Sequence, residues 1–213
     1  YYSMTKALVS VGALLLVEKG ALSLDGKISD YLPYWDDAKV RVAAGEGEAP
    51  VPAERPITVR MLCCHAAITE GMPNIGYSPY TGEGPPFQTL REWASAVNAT
   101  PLRHQPGTQF EYAMSIDMLG AVIEEVSGQT LGGFLRGALF DPLGMPDTFF
   151  EIPEAKLDRF SEMFMGKGTA QYEYAAPPLC ACDASSSWVG THAVILVGWG
   201  VTQDVGTKCA RAA

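Results

Sequence analysis

Positive charge is scarce in this chain. Of 213 residues only 15 are lysine or arginine, against 24 acidic residues and three histidines. The net charge of −9 repels a polyanion, and no basic stripe offsets it, so nucleic acid is excluded as a partner. Long apolar runs are missing too. The longest, Ala7 to Val17, stops at Glu18 and Lys19, short of the roughly 18 uncharged residues a membrane helix needs. It lacks the basic flank and small-residue cleavage site of a secretory signal, so no targeting segment is expected. Neither compartment nor oligomeric state is specified.

Regular cysteine spacing is also lacking. The five cysteines are Cys63, Cys64, Cys180, Cys182 and Cys209. An odd, irregular set argues against a disulfide framework. Cys180, Cys182, Cys209 and His192 could in principle hold zinc, but C-x-C is tighter than the spacing of zinc knuckles. That reading is set aside. Cys63 and Cys64 lie in an apolar stretch and read as small hydrophobes. No metal or organic cofactor is implied.

What is present is a series of helical segments. Residues 3–19 carry apolar residues at three- and four-residue intervals and end at Gly20, with Ser3 as the expected cap. An Asp-Gly turn and a short segment ending at Pro33 follow. "VAAGEGEAPVPAERP" (42–56) reads as a Gly/Pro/Glu loop. "ITVRMLCCH" (57–65) restarts a helix with Thr58 as cap. After a Gly/Pro-rich loop at 69–89, "LREWASAVNAT", "SIDMLGAVIEEVSG" and "TLGGFLRGALFDPLG" read as three more helices. From about residue 165 the periodicity fades, and "AVILVGWG" reads as a buried strand. No repeat or low-complexity segment is found.

The chemistry begins at "YYSMTK" (1–6). Ser3 and Lys6 are three residues apart, hence on one helix face. A serine is a poor nucleophile until a base takes its proton, and a lysine can be that base when burial or a neighbouring cation lowers its pKa. A helix N-terminus also offers outward-pointing N–H groups where an oxyanion can sit. By itself the pair is weak, because about one Ser-x-x-Lys is expected by chance in a chain this long at average composition. A cap serine beside a solvated lysine explains it equally well.

The flanks make it specific. "SMTK", "VEKGALSLDGKISDYLP", "ITVRMLCCH", "PGTQFEYA", "LGAVIEEVSG" and "FDPLGMPDTFF" occur in order. Together they resemble the penicillin-recognising serine hydrolases: serine β-lactamases, DD-peptidases and their esterase relatives. The resemblance covers residues 1 to about 164. It implies Ser3 as nucleophile, Lys6 as general base and Tyr112, after "PGTQFE", as the phenol that relays a proton to the leaving group. The family's usual Tyr-x-Asn is here Tyr112-Ala113-Met114, which points to the esterase branch. The "H-x-SG" of the family is His65-Ala66-Ala67-Ile68, and Ile68 in place of a flexible residue suggests relaxed constraint. His65 reads as a hydrogen-bonded structural histidine.

Members of this family are longer, with strands before the serine helix and further strands after it that supply an oxyanion N–H and a pocket wall. The expectation is therefore an α+β, partial β-lactamase/transpeptidase-like fold, mainly its helical part, with a short strand near 193–199. Residues 1–164 form the partial domain and 165–213 an unassigned tail. The tail segment "GTHAVILVGWG" resembles the region around the papain-family histidine, which would be His192, but the cysteine and asparagine segments that histidine works with are absent. An unrelated strand with a chance histidine explains it nearly as well. The expected function is an esterase-like serine hydrolase acting through an acyl-enzyme on small esters or amides, impaired by truncation. The alternative is a non-catalytic remnant of the family.

Overall fold

The computed structural model describes residues 2–68, 89–150, 152–159, 163–167 and 171–175. Residues 69–88 of the expected loop, Cys180, Cys182, Cys209, His192 and the strand expected near 193–199 lie outside the described residues.

Among the described residues five α-helices carry the architecture. α1 (Thr5–Glu18) buries Thr5, Val9, Gly12, Ala13 and Leu16, one stripe at helical spacing. Met4, Val11 and Leu14 stay exposed on its other side. The chain leaves α1 through Gly20, whose φ of +71° few other residues adopt cheaply. α2 (Val59–Cys63) starts at Thr58, whose hydroxyl accepts from the Met61 N–H. α3 (Leu90–Asn98) starts the same way, with Thr89 accepting from the Glu92 N–H. α4 (Ser115–Ser127) ends at Gly128 in the left-handed region. α5 (Leu131–Leu135) is capped by Thr130 and widens into a π-type turn over Arg136–Phe140.

α4 is the axis. It buries Ser115, Ile116 and Met118 through Ile123, and α1, α2, α3 and α5 all pack on it. A helix apolar on nearly every side belongs at the centre of a domain. Around it Trp93, Phe140, Leu62, Ile28, Leu32 and Ile57 are fully buried. Gly12 lets α1 and α5 close up, since a Cβ there would meet the Leu135 side chain at 2.5 Å.

Strands are few among the described residues. β1 (Arg41–Val42) and β2 (Val51–Pro52) make a two-residue antiparallel pair inside the loop read from the sequence. The Leu102 backbone fastens it, donating to the Arg41 carbonyl and accepting from the Ala43 N–H. β3 (Met163–Lys167) and β4 (Gln171–Ala175) form an antiparallel hairpin that sequence periodicity did not reveal. No helix of the described residues is long and apolar enough to cross a membrane.

Three details depart from expectation. Ser3 does not cap α1: it lies in a 3-10 turn, Tyr2–Met4, and Met4 takes the cap position with no side-chain cap bond. Ile68 is not a loosened position. It is fully buried, and the Ser115 hydroxyl both accepts from its N–H (3.1 Å) and donates to its carbonyl (3.2 Å). Of the paired cysteines, Cys63 packs half-buried against the core, where burial pushes its thiol pKa up, while Cys64 is exposed.

Candidate active site

The N-terminal turn of α1 meets the segment that enters α4. Ser3 is exposed on the 3-10 turn that feeds α1. Lys6, half-buried on the first turn of α1, places Nζ 4.9 Å from the centroid of the Tyr112 ring. An ammonium over a phenol face is held by the ring quadrupole. Two of the three side chains singled out in the sequence are therefore in contact, although they come from distant segments. Tyr112 is 47% exposed, open to a small molecule on one side.

His65 backs Tyr112. The two rings stack at 4.7 Å and 29°, and Phe110 meets His65 edge-on at 6.1 Å. The Ala113 N–H donates to His65 Nδ1 at 3.3 Å, and the Glu111 N–H donates to the His65 carbonyl at 2.8 Å. Burial, helped by the Lys6 charge, lowers the His65 pKa. Glu111 is fastened as well, accepting from Arg103 at 3.0 Å and pairing with His104 Nε2 at 3.1 Å. The expectation that His65 is a hydrogen-bonded histidine describes its place in the structure.

Asp117 lies on the first turn of α4. Burial raises its pKa to about 7, against the opposing pull of the Lys6 charge and of its own backbone N–H. The available signal was a carboxylate set between Ile116 and Met118 in an apolar helix. Lys6 thus feels a tyrosine ring and a carboxyl group from the same stretch of chain.

The comparisons with known proteins bear on this arrangement. The family model described as Beta-lactamase matches residues 1–191. The chain belongs to the beta-lactamase family. It is 35% identical over 153 residues to lovastatin esterase of Penicillium rubens, covering 70% of this chain and 38% of that protein. It is 29% identical over 169 residues to esterase EstB of Burkholderia gladioli, covering 71% and 38%. Among solved structures, it superposes on EstCE1, a hydrolase with promiscuous acyltransferase activity, with TM-score 0.64 and 26% identity, over 82% of this chain and 44% of that one. Simvastatin synthase of Aspergillus terreus shares the fold at TM-score 0.65 and 24% identity, over 82% and 45%. The chain thus spans about two fifths of the length of these curated esterases. Its fold is the β-lactamase/transpeptidase-like one, represented mainly by helices among the described residues.

Proposed function

We propose that the chain carries the nucleophile-bearing part of an esterase-like serine hydrolase. The observation that carries this is Lys6 seated over the Tyr112 ring one helical turn from Ser3. In the proposed reaction Lys6 first gives up its proton to solvent, and its amine then takes the Ser3 hydroxyl proton as Oγ attacks the ester carbonyl. The tetrahedral intermediate collapses to an acyl-serine, and the leaving alkoxide takes a proton from the Tyr112 hydroxyl, resupplied from the Lys6 ammonium. Water then attacks the acyl-serine, its proton passing by way of the Tyr112 hydroxyl to the Lys6 amine. The second tetrahedral intermediate expels Ser3 Oγ, which takes that proton from the Lys6 ammonium as the acid departs.

The substrate class is small esters or amides with an apolar body. Met4 and Phe110, beside Ser3 and Tyr112 in the chain, are 59% and 73% exposed and give the site an apolar rim. Met114 stands where many relatives have asparagine and offers no amide to a β-lactam side chain; a missing polar contact of this kind can decide specificity. Residues 1–164 are proposed as the part that carries this site; the family match continues to residue 191 and β3 crosses the 164/165 boundary, so the tail is not separate at that point.

The test is a fluorophosphonate probe on the 213-residue chain. Ser3 is expected to be the labelled residue and Ser3→Ala to abolish labelling. Because the chain spans 38% of the esterases it resembles, turnover of a short-chain nitrophenyl ester is expected to be weak but faster than that of a penicillin. No label at Ser3 would favour a non-catalytic remnant of the family.

A further inference from the structure

His65 touches the Tyr112 segment in three ways, and the three act on consecutive residues. Its carbonyl takes the Glu111 N–H, its ring stacks on Tyr112, and its Nδ1 takes the Ala113 N–H. The backbone is therefore gripped on both sides of the tyrosine, and the ring itself is backed. Lys6 lies over the same ring, so Tyr112 is held by a histidine and an ammonium together. We propose that His65 is the positioning residue for Tyr112, fixing the phenol relative to Lys6, and that it does so only with its proton on Nε2.

The tautomer follows from the bond. A ring nitrogen that accepts from a backbone N–H cannot carry a hydrogen, so Nδ1 is bare and the imidazole is neutral. The backbone supports the choice of residue. His65 is the one non-glycine residue with positive φ, 53°, among the described residues, and histidine and asparagine enter that region more readily than most side chains. Asparagine can place its amide oxygen near where Nδ1 sits, whereas phenylalanine keeps the flat ring and loses the acceptor. The two substitutions change the hydrogen bond and the stack in turn; because phenylalanine also strains the positive-φ backbone, the melting temperature of each variant is read beside its turnover.

The proposal rests on the serine hydrolase reading for its catalytic consequence, but not for its structural one. Misplacing a reacting group by about an ångström can cost on the order of a hundredfold in rate. For ester turnover, His65→Phe is expected to lower kcat between about tenfold and a hundredfold with KM nearly unchanged, and His65→Asn to recover most of that loss. Equal losses in the two variants, or a rise in KM with kcat intact, would overturn the positioning role. A second measurement needs no activity. In the wild-type chain a nitrogen-15 spectrum at pH 8 is expected to show the His65 proton on Nε2 and coupling from the Ala113 N–H to Nδ1. A proton on Nδ1 would overturn the proposal whatever the turnover. Failure of Ser3 to label with the correct tautomer present would instead sink the hydrolase reading and leave His65 holding Tyr112.

Discussion

Two stretches of α4 do different work with the same backbone. The second, Met118 to Ile123 in the middle of the helix, is apolar apart from Gly120 and is sealed among the other helices. The first turn of the helix is polar and meets the candidate site. There the Ser115 hydroxyl makes two bonds to Ile68, and Asp117 senses Lys6. Burial of apolar surface is non-directional, so the second stretch fixes that α4 is central without fixing where any atom sits to a fraction of an ångström. Hydrogen bonds are directional and short. The first turn supplies the geometry that burial cannot, and it does so at the end where Lys6 and Tyr112 meet.

The largest effect is expected in the apolar stretch. Leu119→Ala removes a fully buried side chain and should cost about 2–5 kcal/mol in a urea melt. The Ala113 amide resonance should stay where it is, because the His65 bond is made elsewhere. Ser115→Ala should cost less, about 1–3 kcal/mol, by stranding the buried Ile68 N–H and its carbonyl. It should nevertheless move the Ala113 resonance, since the backbone of residues 65–68 loses its tie to α4. A Ser115→Ala chain with an unmoved Ala113 amide would show that the polar turn does not hold the site, and the distinction between the two stretches would collapse.

The same division explains what could be read from the sequence. Helix ends were legible because their causes are local: Thr58 caps α2 as expected, and Gly128 closes α4. Lys6 and Tyr112 were named from the order of short motifs. What escaped depends on partners far along the chain. Ile68 looked like a relaxed position, and only its contact with Ser115, 47 residues on, shows that it is tied. Ser3 looked like a cap because caps are serines, but the turn that contains it begins one step earlier. In the β3–β4 hairpin "MFMGK" lacks a two-residue alternation, and the short alternation of "QYEYA" stands alone beside it, so the pairing was not legible.

The last effect vanishes near pH 4 and has the sharpest pH signature. Asp117 has a folded-state pKa of about 7, raised by burial, against about 3.9 in an unfolded chain. Between those values the folded protein holds a proton that the unfolded chain releases, so stability falls as pH rises from about 4 to 7 and the deficit persists above. Even one unit of realised shift amounts to about 1.4 kcal/mol. An asparagine at this position would be neutral at every pH. Asp117→Asn should therefore melt at a higher temperature than the wild type at pH 8, and the gap should close as pH falls toward 4. Removing the Lys6 charge should widen the gap, because Lys6 is the cation that partly offsets the burial. Melts at pH 4, 6 and 8 on the wild type, Asp117→Asn, Lys6→Met and the Lys6→Met/Asp117→Asn double variant distinguish this from a simple packing change. A gap of constant size across that range would mean that Asp117 is ionised throughout, and that the polar turn of α4 holds a full charge beside Lys6 rather than a proton.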